Sequence, residues 1–431
     1  MLIAYGQSEY KNAPVLFLVL SLILFSRVFS AAGIPNIINF LHFAAVPCAL
    51  LFCFPKQVNP SVKQLLWGVG AFYLVVVFSA LTNGAGGVNV LLGGLMLTEP
   101  FLLIALLTGH RWSSALLHNF TRFIFVFIGV HLFFILYQYV LQGKSGDTVQ
   151  GVFLDMGAGA HVAGAVAFTA AVYFCFSAGW ISKPAKLLLA AISLWAVIFT
   201  DSKQVFAVFL VATAILALMN IYKITRFFKL LLVLTVSWVL LLQLGKYVFP
   251  LRTYLERLGF FWGGLTQKFM VFDVFSAHFV SPFNWLFGLG PGHTVSRLGF
   301  LLPNYFHILS PLGATKSSIT NLVWEVNQNH YLSNSETGSS IFSLMFSWAG
   351  IFGDYGFLGL IIYLYLWFLV WRHFCRTMTT KFLLLTVFIF GMVFSWMEEP
   401  GYILLVISLI CLQWQKGFRE EDSAEIEAGA K

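Results

Sequence analysis

Residues 64–82, QLLWGVGAFYLVVVFSALT, and 90–108, VLLGGLMLTEPFLLIALLT, decide the fold. Glu99 is the only charged side chain in the two runs. A helix needs ~20 apolar residues to cross a bilayer. Lipid offers no partner to an open backbone, so long runs that do not alternate polar with apolar predict spanning helices, not barrel strands. The pattern recurs along the chain, at 14–33, 36–54, 120–142, 160–179, 185–200, 203–220, 227–247, 354–372, 381–397 and 399–415. The expected fold is an all-α polytopic integral membrane protein with twelve transmembrane helices. The first segment is too long, and lacks the small-residue cleavage site, for a removed signal peptide.

Composition agrees. Of 431 residues, 59% are hydrophobic and 10% charged, against roughly 25% charged in a soluble chain. That excludes a soluble globular protein, a disordered chain and a typical nucleic-acid binder. The net charge of +8 reads first as topology. With the N-terminus inside, 16 of the 25 Lys and Arg fall in inner loops or the termini, whereas the short outer loops hold only Lys144 and Lys203. The positive-inside rule then predicts both termini in the cytoplasm.

One connection stands apart. Residues 248–353, between the ninth and tenth segments, form a long outer loop rich in Trp and Phe, and loops of that length are functional or disordered. Phe269, Phe272, Phe275 and Phe279 recur at helical spacing, which predicts an amphipathic helix over 262–280 on the bundle or the membrane surface. The expected division is a membrane domain over 1–418 and an acidic, solvated, disordered cytoplasmic tail over 419–431.

Several chemistries find no support. No CxxC pair occurs among Cys48, Cys53, Cys175, Cys375 and Cys411, so neither a zinc site nor a disulfide framework is predicted. There is no Walker loop, no GxGxxG after a strand and no DxD pair, and the first outer loop, AAGIPN, carries no acid. No metal and no cofactor is expected.

Three constellations could carry chemistry, all near the outer face. The first is FTDSKQVF, with Asp201 and Lys203. The two charges either neutralise one another, or Lys203 adds its charge to a helix N-terminus and makes an anion site. The second runs from Arg252 to Gly292 and contains Arg257, Lys268 and FGLGPGHT. Gly288, Gly290 and Gly292 alternate there, forming either a plain turn or a turn whose free N–H groups suit a phosphate. His293 follows, as a candidate acid or base or a structural histidine. The third, residues 327–359, holds His330, Glu336 and Asp354, the last a candidate acid or the N-cap of the tenth helix. Within the helices Arg27, Glu99, His131 and His161 are the costly polar residues. Glu99 has either a functional role or a purely structural contact with Arg27 or a histidine.

In this arrangement the chain resembles the superfamily of bacterial O-antigen polymerases, exopolysaccharide polymerases and O-antigen ligases. The resemblance rests on twelve helices, a long outer loop between the ninth and tenth, and a basic residue (Lys203 in TDSKQ) opening the eighth. A GxGxG-type turn preceded by Lys268 follows, then a G-acid-x-G-x-x-G motif, GDYGFLG (Gly353, Asp354, Gly356, Gly359). The topology spans the chain and the motifs fall within about 200–372. Ligases of the family carry a histidine about nine residues before that acid. Here Met345 stands there and His330 lies further upstream, which favours the polymerase branch.

The resemblance implies a glycosyltransferase of the bacterial inner membrane with a periplasmic loop. It would polymerise undecaprenyl-diphosphate-linked repeat units into O-antigen, capsular or exopolysaccharide. Donor and acceptor are lipid-linked glycans, and a chain-length regulator is the protein partner it allows. Lys203, Lys268, Arg252 and Arg297 are the expected diphosphate ligands, and Asp354, His330 or Glu336 the expected general base. The alternatives are a ligase with a lipid A core or protein acceptor, and a flippase of lipid-linked glycans.

Overall fold

The computed structural model describes residues 13–54, 58–154, 159–176, 181–220, 243, 261–333 and 342–429. Every described element is helical, and each apolar run within those residues forms helix. The ninth run, 227–247, lies outside them.

The first run is broken into α1 (Ala13–Leu24) and α2 (Ser26–Ala31) at Phe25. The second begins with a 3-10 turn (Asn36–Phe40) after Pro35 and continues as α3 (His42–Phe52). A proline disfavours helix in the residue before it, which accounts for the break. Then come α4 (Pro60–Asn83), α5 (Gly87–Thr108), α6 (Ser114–Leu136), α7 (Gly159–Phe176), α8 (Lys183–Phe199) and α9 (Lys203–Met219). Local rules set these ends. Asn59 caps α4 by accepting from the Ser61 N–H at 3.0 Å with Pro60 in the first turn, and Gly84 closes it in the left-handed conformation.

The long connection is itself helical, with α10 (Phe261–His278), α11 (Pro282–Phe287), α12 (Arg297–Leu309) and α13 (Ser318–Ser333). Of the four spaced phenylalanines, Phe275 and Phe279 are buried and Phe269 is exposed. With Val271, Val295, Val323 and Phe346 the two buried rings form a second apolar core, distinct from the bundle. The chain ends with α14 (Ser347–His373), α15 (Met378–Val393) and α16 (Pro400–Gly429). Helix α16 continues to Gly429, past the boundary at 419 where the sequence predicts a disordered tail. Its Glu- and Ala-rich continuation is made of good helix formers.

Six described helices are long and apolar enough to cross a membrane, and four shorter apolar ones accompany them. At ~1.5 Å per residue, α4 alone is about 36 Å long. The turns gather at its two ends. At its start, His110 contacts the Cys53 carbonyl at 2.7 Å, Gln415 donates to the Leu107 and His110 carbonyls, and Arg376 lies over Phe418. At its far end, the 83–89 turn meets the long connection: Asn83 donates to the Gly288 carbonyl, and Asn89 binds the Pro291 carbonyl and the Thr315 backbone.

Candidate functional site

The glycine turn and the GDYG motif are two halves of one joint. Gly288, Gly290 and Gly292 all have positive φ, and inside α14 Gly356 departs from helix at φ 65°, ψ −163°. A side chain at Gly288 would lie 2.4 Å from the Asp354 carbonyl carbon, and one at Gly356 would lie 2.6 Å from the Gly288 nitrogen. The backbones therefore pack against each other where only glycine fits. The Leu289 and Gly290 N–H groups donate to the Gly353 and Asp354 carbonyls at 2.8 and 3.1 Å. Gly292 N–H donates to Asp354 Oδ2 at 2.7 Å, and Thr294 donates to Oδ1 from its backbone at 3.0 Å and its hydroxyl at 2.5 Å. Ser79 donates to the Asp354 carbonyl at 2.6 Å.

The turn does bind an anion, but the anion is the chain's own. Asp354 is fully buried, and both of its carboxylate oxygens are taken up inside the joint. His293 sits between the Leu289 carbonyl (3.1 Å) and the Thr315 hydroxyl (2.9 Å), and burial lowers its pKa.

Two expected diphosphate ligands are engaged elsewhere. Lys268 Nζ donates to the Ser343 and Val393 carbonyls at 2.8 and 3.1 Å and lies 4.5 Å from the Phe346 ring centre. Burial pulls its pKa down to about 7. The Arg297 N–H donates to Glu398 Oε2 at 2.9 Å, while its guanidinium pairs with Glu399. Burial pushes Glu398 up to about 8, and its Oε1 has no hydrogen-bond partner. Lys268 and Arg297 thus converge on the turn between α15 and α16, residues 393–399. Glu398 and Glu399 lie outside the three constellations marked in the sequence. The signal was present: two acids in WMEEP between apolar runs.

Lys203 belongs to a different, more open group. Its Nζ lies 3.2 Å from Asp201 Oδ2. Asp201 has φ 48°, the only positive value for a non-glycine among the described residues. Ser202 donates to the Ala160 carbonyl at 3.0 Å and fills the space left by Gly164, which fixes this turn to the start of α7. There His161 Nε2 lies 3.8 Å from Asp147 Oδ1, its Nδ1 lacks a hydrogen-bond partner, and its ring stacks on Phe394 at 5.6 Å. Asp147 and Asp201 are 80% and 50% exposed. Three elements therefore bring Asp147, His161, Asp201 and Lys203 near one another, with the two acids exposed, Lys203 27% and His161 14% exposed, and Phe394 joins them to the 393–399 turn. The sequence marks His161 as a costly polar residue but gives no hint of Asp147 beside it.

The other expectations fall elsewhere. His330 lies in α13, with its side chain outside the described residues, as are Glu336 and Arg252 altogether. Glu99 contacts His42 at 2.7 Å. His131 reaches the Ala163 carbonyl at 3.0 Å. Among the described residues no set of three or more His, Cys, Asp or Glu is arranged to hold a metal ion. Comparison of the chain with known protein families and with characterised proteins finds no match.

Proposed function

We propose that the chain is a membrane glycosyltransferase that joins glycan repeat units carried on undecaprenyl diphosphate, working in the bacterial inner membrane with residues 248–353 on the periplasmic side. The observation that carries this reading is the grouping of the Lys203–Asp201 pair, at the first turn of α9, with the His161–Asp147 pair. A cation at a helix N-terminus suits a diphosphate, and a histidine beside a carboxylate suits a proton acceptor.

In the proposed step the acceptor hydroxyl oxygen attacks the donor's anomeric carbon. The new C–O bond forms as the bond to the diphosphate breaks, and the electron pair leaves with the diphosphate, held by Lys203. The hydroxyl proton passes to His161, with Asp147 stabilising the imidazolium. Asp354, Lys268 and Arg297 act by holding the long connection onto the bundle.

Deletion of the protein, followed by electrophoresis of surface polysaccharide, tests the reading. A single repeat unit on the surface lipid supports polymerisation. Accumulated undecaprenyl-linked polymer indicates a ligase, and lipid intermediates trapped in the inner leaflet indicate a flippase.

A further inference from the structure

Helix α11, in the long connection, is turned inside out. Its polar side chain, Asn284, is buried. The amide Nδ2 donates to Asn83 Oδ1 at 3.0 Å and to the Gly288 carbonyl at 3.3 Å. Its Oδ1 accepts from the Ser281 hydroxyl at 3.0 Å and the Ser281 N–H at 3.2 Å. The apolar side chains are the ones left outside. Phe283 is 61% exposed, Leu286 45% and Trp285 40%, and Val280, just before the helix, is 88% exposed. No charged or histidine side chain interrupts the stretch from Phe279 to Gly292. Facing water, this arrangement would reverse the normal order of burial, and a contiguous exposed apolar patch marks a contact surface.

The patch continues into the bundle. Trp285 stacks on Phe357 with ring centres 6.0 Å apart, and Phe287 meets Phe78 at 5.8 Å. Phe357 opens a stripe of exposed apolar residues along α14, followed by Ile361, Leu364 and Phe368. Phe78 belongs to a second stripe, on α4, with Leu74 and Leu81. Both stripes follow helical spacing, on helices long and apolar enough to cross a membrane. Helix α11 joins them at the level of Asn83, the last residue of α4. The end of a span is where the bilayer meets water and where Trp is favoured.

We infer that α11 anchors the long connection to the membrane, with Val280, Phe283, Trp285 and Leu286 seated among lipid acyl chains beside the end of α4. Lipid is the partner because the patch runs unbroken into the surface that the spanning helices turn to lipid, and because an apolar helix face without charge suits the interface. The anchor uses neither Lys203 nor His161, so it stands or falls separately from the glycosyl-transfer reading.

The test uses the wild-type full chain, one copy per phosphatidylcholine nanodisc, with part of the lipid carrying a diazirine near the ester or at mid-chain. After illumination, mass spectrometry maps the lipid adducts. Adducts are expected within 280–286 at a yield comparable with those at Leu81 and Phe368. In the same discs Phe283 is expected to resist aqueous hydroxyl radicals as well as Phe368 does. No adduct within 280–286 while Leu81 and Phe368 are labelled, or a Phe283 oxidised faster than Phe368, overturns the inference. A patch shielded only in discs that hold two copies is a contact between copies and overturns it as well.

Discussion

The Asp354 carboxylate receives the Gly292 N–H at 2.7 Å, so an acid of the bundle fills the anion-binding turn of the long connection. Asp354→Asn therefore lowers stability, because the hydrogen bonds it weakens are to a charged group and are each worth about 1.5–3 kcal/mol. Its unfolding temperature in detergent falls together with its activity. A variant as stable as the wild type but without activity would return Asp354 to the role of general base.

The close approach of Gly288 and Gly356 leaves no room for a side chain, and Gly356 also has positive φ. Gly356→Ala is expected to detach the long connection from α14. Limited proteolysis within 282–296 reads this directly, with faster cleavage in the variant. Equal cleavage rates would show that the joint does not depend on that contact.

The pH dependence of stability follows from two buried groups with opposite signs. Glu398 titrates near 8 in the folded protein, against an ordinary carboxyl near 4.5. The folded state then holds the extra proton, and stability falls as pH rises from about 4.5 to 8. Lys268 titrates near 7 instead of 10.5, so the unfolded state binds more protons between those values and stability rises with pH across that window. Glu398→Gln removes the first slope and Lys268→Met the second, as measured by thermal unfolding at a series of pH values. An unchanged profile in either variant contradicts the assignment for that residue.

Glu99 and His42 face each other in the bundle at 2.7 Å, both almost fully buried. Removing one partner leaves the other's buried polar atom unmet, which costs about 1–3 kcal/mol. Glu99→Ala is expected to lower the yield of folded protein, and a double replacement by apolar residues to restore part of it. Full yield from the single variant would rule out a structural pair.

The helical architecture is legible in the sequence because the length of an apolar run is a local signal. The runs at 64–82 and 90–108 become α4 and α5. The FGLGPGHT and GDYGFLG motifs are likewise visible one by one. That they close on each other is not, since the contact joins residues about sixty apart through backbone N–H groups that any sequence supplies. The role expected for Lys268 shifts for a similar reason. Its carbonyl partners, at Ser343 and Val393, have no signature in residue type. Asp147 is a polar turn residue until the fold brings it to His161.

The most direct test of the account is reconstitution of the purified chain in liposomes with a synthetic undecaprenyl-diphosphate-linked repeat unit, with products separated on a gel. The wild-type protein should yield a ladder of lengthened glycans and release undecaprenyl diphosphate. Lys203→Ala and His161→Asn should yield neither while remaining folded, with the histidine variant slowed roughly 10²- to 10⁴-fold. A wild-type protein that leaves the repeat unit unextended, or a full ladder from both variants, would contradict the account.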